Sequence, residues 1–153
     1  MESLHPRIRV LWITRRGLQA LVIGAVLLAV DRWATDVPTV VVTAVVFVVF
    51  VSGAAYAARR YQVWRFEVQS DALYIERGVF TFFETSIPSV RVQHVDTRFG
   101  PIERLVGLSS VVVYTAGSRN ADVRIPGLTP DRARELRGTL RELAVESDVD
   151  DAL

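Results

Sequence analysis

Val37 to Ala58 is 22 consecutive residues without a charge, and no other feature constrains this chain as much. As a helix rising about 1.5 Å per residue, the run spans roughly 33 Å, against a bilayer core of about 30 Å. It predicts a membrane span over residues 37–58. A weaker apolar run precedes it. Gly17 to Val30 is 14 residues, short for a span by itself. Extended back through Val10, Leu11, Trp12 and Ile13, it predicts a first span over residues 11–30. Arg15 and Arg16 then snorkel toward head groups. A cleavable signal peptide is the rival reading. Against it, no small-x-small site is followed by a polar mature start. The chain runs from Asp31 through Arg32, Trp33 and Asp36 straight into the second run.

So short a connection makes the two spans antiparallel neighbours. Arg7, Arg9, Arg15 and Arg16 precede the first span, and Arg59, Arg60 and Arg65 follow the second. The connection offers only Arg32 against Asp31 and Asp36. Positive charge collects on the cytoplasmic side, so both termini are expected in the cytoplasm and the protein in the cytoplasmic (inner) membrane. Trp12, Trp33, Tyr61 and Trp64 fall near the expected interfaces, with Arg15, Arg16, Arg59 and Arg60 beside them. Ala20 with Gly24, and Gly53 with Ala57, form small-x-x-x-small pairs that allow close helix contact.

Composition narrows the rest. The sequence of 153 residues leaves room for one domain beyond the anchor. There are no cysteines, which excludes disulfides, thiolate metal sites and cysteine nucleophiles. All 18 basic residues are arginine, a bias explained by base composition. No basic stripe of the kind nucleic-acid binding needs is present. The last residues are acidic, from Glu146 through Asp148, Asp150 and Asp151, and read as a solvated tail.

From Tyr61 onward the pattern alternates with period two, as in half-buried strands. Strands are expected around 63–69, 72–76, 79–87, 90–95, 109–115 and 121–125. Turns are expected at Ser70-Asp71, Arg77-Gly78 and 116–120, and a loop from Gly100-Pro101 to Gly107. Thr129 can cap a helix that has Pro130 at its first position. Leu128, Ala133, Leu136, Leu140, Leu143 and Ala144 form its apolar stripe. Six short strands and one amphipathic helix predict an all-β roll or barrel with a C-terminal capping helix. The expected division is 1–60 for the N-terminal segment and two-span hairpin, 61–146 for the folded domain, and 147–153 for the tail.

These residues resemble a known family. Trp64 on a first strand, "ALYIERGVF", "IPSVRVQHVDTRFGPIERLVGLSSVVVYTAG", then "IPGL" and a helix are similar to the membrane-anchored bacterial and archaeal pleckstrin-homology-like (YdbS-like) proteins. The most specific pieces are Pro88, Arg91, Gln93 and His94, then Gly100-Pro101, Glu103-Arg104, Gly107, Thr115 and Gly117. The resemblance implies a pleckstrin-homology-like barrel closed by a helix, and it implies no reaction. Eukaryotic pleckstrin-homology domains that bind inositol phosphates use a basic loop between their first two strands. Here that turn reads as Gln69-Ser70-Asp71, acidic and short.

Chemistry is sparse. His94 and Asp96 share a strand face, with Gln93 on the other. Such a pair orients an imidazole or supplies half a metal site, and no further histidine or cysteine lies nearby to complete one. The plain structural role is bonding of Gln93 and His94 to backbone in the corner that follows. In the 98–107 loop, Glu103 and Arg104 can pair, or Arg104 can cap carbonyls. Alternatively Arg98, Phe99, Gly100, Pro101, Glu103 and Arg104 form a contact surface for a partner or the membrane. Ser109 and Ser110 have no base near them in sequence. No phosphate loop, nucleophile elbow or paired-acid motif occurs.

The expected function is therefore that of a non-enzymatic, cofactor-free scaffold or binding protein. It sits in the lipid bilayer, and the resemblance implies contact with a related membrane protein or itself, with neither nucleic acid nor a small-molecule substrate. An accessory subunit of an export or resistance system, or an anionic-lipid head-group binder, are the alternatives.

Overall fold

A computed structural model describes residues 1–34, 38–116 and 122–150, with residues 32, 34 and 148–150 as backbone only. The chain divides into two compact units. One is residues 9–61, and the other joins residues 1–8 to residues 62–153.

The first unit is built from two helices, α1 (Arg7–Ala34) and α2 (Thr39–Val63). Both are long and apolar enough to cross a membrane. Their small residues meet the opposite helix, as the spacing predicts. A Cβ on Gly24 would come within 2.8 Å of Val46, and one on Gly53 within 3.2 Å of Arg16. Gly17 lies against the Phe50 ring in the same way. Ala20, Val42 and Ala57 are buried, while Leu18, Leu21, Val26, Val40, Phe47 and Val48 face outward. With no hydrophobic force between helices in lipid, such close approach supplies the contact. Polar ends add to it. The Arg60 guanidinium sits 4.4 Å from the Trp12 ring centroid, and Arg16 sits 5.5 Å from that of Tyr56.

Among the described residues, the second unit has seven strands and two helices. In chain order these are β1 (Glu2–Ser3), β2 (Arg65–Val68), β3 (Ala72–Arg77), β4 (Phe83–Pro88), β5 (Val92–Arg98), β6 (Ser109–Thr115) and β7 (Asp122–Leu128). A short helix α3 (Pro101–Leu105) joins β5 to β6, and α4 (Pro130–Asp150) follows β7. The strands form two antiparallel sheets, β1-β2-β3-β4 and β5-β6-β7. Phe66, Leu73, Ile75 and Ile87 of the first and Val111, Val113, Val123 and Ile125 of the second make the core. Helix α4 packs on β5, β6 and the 3-10 turn Ser89–Arg91. Its stripe buries Ala133, Leu136 and Leu140 fully, and Leu143 and Ala144 partly. Thr129 caps it as its sequence predicts, its Oγ1 accepting from Arg132 N at 3.3 Å.

The largest departure from the sequence reading is at the N-terminus. Residues 1–8 were expected to belong with the hairpin, yet they complete the β unit. Ser3 pairs with Arg65 and Glu2 with Phe66. Leu4 and Ile8 are each 1% exposed. His5 N donates to Gly127 O at 2.8 Å. Glu2 receives a two-pronged bond from Arg132, Nε to Oε1 at 2.8 Å and Nη2 to Oε2. That carboxylate holds the Arg132 guanidinium above its ordinary pKa. Gly127 has φ +67°, and a Cβ there would press to 2.8 Å of Ile8. Its lack of a side chain admits the N-terminal segment. The hairpin is therefore an insertion between the first two strands, and the Gln69-Asp71 turn joins the second and third.

Smaller departures have local causes. Val63 ends α2 instead of opening a strand; Trp64, expected both near an interface and in the barrel core, is 3% exposed in the core, edge-on to Phe66. The strand expected over 79–87 begins only at Phe83, because Gly78 (φ +113°) turns the chain so tightly that Thr81 O occupies the space of a Cβ. The strand expected over 90–95 starts at Val92 after the 3-10 turn, and its register shifts between Val92 and His94. The loop after Gly100 holds the helical turn of α3. Helix α4 runs through the start of the expected acidic tail, to Asp150. Residues 35–37, residues 117–121 (which hold Gly117, most of the expected 116–120 turn and the first residue of the expected 121–125 strand), and residues 151–153 lie outside the described residues.

Candidate functional site

One face of the three-stranded sheet gathers several of the polar side chains singled out in the sequence. Antiparallel partners share a face, and the register pairs His94 with Tyr114, Asp96 with Val112 and Val112 with Arg124. His94 and Asp96 do meet, with Nε2 and Oδ1 2.8 Å apart. Both are open to solvent, at 67% and 46% side-chain exposure. The imidazole therefore bonds to a carboxylate, not to the backbone corner. Its ring lies 6.0 Å from that of Tyr114. The Tyr114 hydroxyl in turn accepts from Arg98 Nη2 at 2.6 Å. His94, Asp96, Arg98 and Tyr114 form one linked patch on two strands. Gln93 sits at the register shift and is exposed.

The 98–107 connection separates into structural and available residues. Gly100 and Pro101 start α3, and Gly100 N donates to Glu103 Oε2 at 3.0 Å. The other Glu103 oxygen accepts from Arg124 Nη2 at 2.9 Å, and Arg124 Nε donates to Ser110 Oγ at 3.0 Å. Glu103 thus pairs with Arg124, not with Arg104 as its neighbour in sequence suggested. Residue Glu103 is 7% exposed, so it is structure and not contact surface. Gly107, with φ +68°, reverses the chain after α3. Arg98, Phe99 and Arg104 stay on the surface, joined by Ile102 and Leu105, which are 60% and 86% exposed. Those two apolar residues were not singled out in sequence. Their i, i+3 spacing on a helix was the available signal, hidden inside what read as a loop.

The remaining marked residues have structural places. Pro88 closes β4, and the Arg91 carbonyl accepts from Ala116 N at 3.0 Å. Thr115 lies opposite Val92. Ser109 and Ser110 are fully buried, and Ser109 Oγ donates to Leu128 O at 3.1 Å. Neither is placed as a nucleophile. In the helical unit Arg15, Arg59 and Arg60 are exposed, Arg16 is half-buried, and Trp33 is 93% exposed. Among the described residues, no group of three or more histidines and carboxylates stands close enough to hold a metal ion.

Two candidate spans joined to a seven-stranded, helix-capped β unit define a membrane protein carrying a pleckstrin-homology-like domain. The family model for the bacterial PH domain matches residues 18–144, and the chain belongs to that family. It is 37% identical over 91 residues to the UPF0699 transmembrane protein YdbS of Bacillus subtilis (strain 168). That stretch covers 60% of this chain and 55% of the relative, so the match spans about half of the relative's length. No solved structure matches the chain.

Proposed function

We propose that this protein is a non-enzymatic binding module held against the cytoplasmic membrane. Its partner is another membrane protein or a second copy of itself. The observation that carries the reading is the linked patch on β5 and β6. His94 is braced by Asp96, and Tyr114 by Arg98, on paired strands. Exposed aromatic and arginine side chains with fixed orientation are what protein interfaces use as anchors. Their ordering cost is already met by their mutual bonds. Both termini lie in the cytoplasm in this reading, because the arginines flanking the hairpin stand at its joined ends.

The test replaces Tyr114 by a photo-crosslinking phenylalanine analogue in the full chain, in its native membrane. One defined protein captured from position 114, and lost when Arg98→Ala and His94→Ala are added, is the expected result. Capture of lipid alone would sink the reading and favour a head-group binder.

A further inference from the structure

Exposed apolar residues cluster at two other places in the β unit. The β3–β4 connection carries Phe80, Phe82 and Phe83, which are 91%, 56% and 53% exposed. Strand register fixes where this connection stands. Ser3 pairs with Arg65, Arg65 with Glu76, and Arg77 with Phe83. The end of the four-stranded sheet that bears the phenylalanines is thus the end at which the chain leaves β1 and enters β2. Those are the two strand ends through which the hairpin is joined. The second cluster is Ile102 and Leu105 on α3. Arg7, in the first turn of α1, points its Nη1 at Val106 O, 3.5 Å away. Arg7, which belongs to the β unit, therefore lies next to α3.

Three phenylalanines on one tight connection are an exposure that soluble surfaces avoid unless something covers it. Only Trp64 separates the end of α2 from β2, and only three residues separate β1 from α1. The charges nearest the connection are Arg65, Glu76, Arg77 and Glu84, two of each sign. These four offer no net attraction for an anionic head group, so apolar burial is the driving force available to the phenylalanine connection. We infer that Phe80, Phe82 and Phe83, with Ile102 and Leu105, dip into the interface of the bilayer that the hairpin crosses. They seat the β unit on the membrane in one orientation, in the manner of interfacial apolar faces. The polar patch on β5 and β6 is then presented at a defined angle, not on a swinging tether.

The lack of native cysteines makes the test direct. Phe82→Cys, Leu105→Cys and Ser70→Cys in the full chain each create a unique labelling site. Ser70 lies at the other end of β2 and serves as the control. Each is labelled with an environment-sensitive nitrobenzoxadiazole dye and reconstituted in phosphatidylcholine vesicles. The expected result is blue-shifted emission at positions 82 and 105, lost to doxyl-labelled lipids and protected from aqueous iodide. The label at 70 should behave oppositely. The pattern should persist at high salt and without anionic lipid. Iodide quenching at 82 equal to that at 70 would overturn the inference. So would a blue shift without lipid quenching, which means a protein contact, or a signal that needs phosphatidylglycerol, which means head-group capture.

Discussion

Glu103 shows how one buried carboxylate can organise a surface. It caps α3 through Gly100 N and fixes Arg124, which in turn satisfies the Ser110 hydroxyl. Glu103→Ala leaves Ser110 and the α3 start without their network. We expect a loss of about 1–3 kcal/mol, the usual cost of orphaning buried polar groups. Half of the Arg124 side chain meets water, so the pair itself is worth less than a fully buried one. Chemical denaturation of the variant in nanodiscs checks the value; an unchanged midpoint would remove Glu103 from this role. The sequence could not reveal the pairing. Arg104 is adjacent and Arg124 is 21 residues away, brought in only by the β6–β7 register. The His94–Asp96 pair was legible for the opposite reason. Two residues apart on a strand, they share a face whatever the rest of the fold does.

At the scale of elements, the N-terminal clip is the least visible piece and one of the most consequential. A two-residue strand cannot display alternation, and the spans that follow it draw residues 1–8 toward the anchor in any reading by composition. Only tertiary contacts reveal it: Leu4 and Ile8 in the core, Glu2 on Arg132, His5 on Gly127. The long, strongly patterned elements were readable instead. Strand β6 has the expected bounds, and α4 starts at its expected cap. Burial of two full aliphatic side chains contributes about 3–6 kcal/mol by area, an upper figure. A soluble chain of residues 62–150 should therefore melt well below one in which residues 1–8 are joined to it by a flexible Gly/Ser linker. Equal melting temperatures would show that the clip is dispensable.

At the scale of the whole molecule, the topology ties location to fold. The hairpin leaves one folded unit and returns to it, since β1 and β2 are neighbours in one sheet. A folded unit cannot lie on both sides of a bilayer, so the two arms start and finish on the same side. In the reading proposed above, the arginine bias around those arms makes that side the cytoplasm. This is the account's central claim, and cysteine accessibility in intact cells tests it most directly. A membrane-impermeant maleimide should label Asp36→Cys from outside. It should reach Ser70→Cys only after the membrane is opened. Labelling of Ser70→Cys in intact cells, with Asp36→Cys protected, would contradict the account.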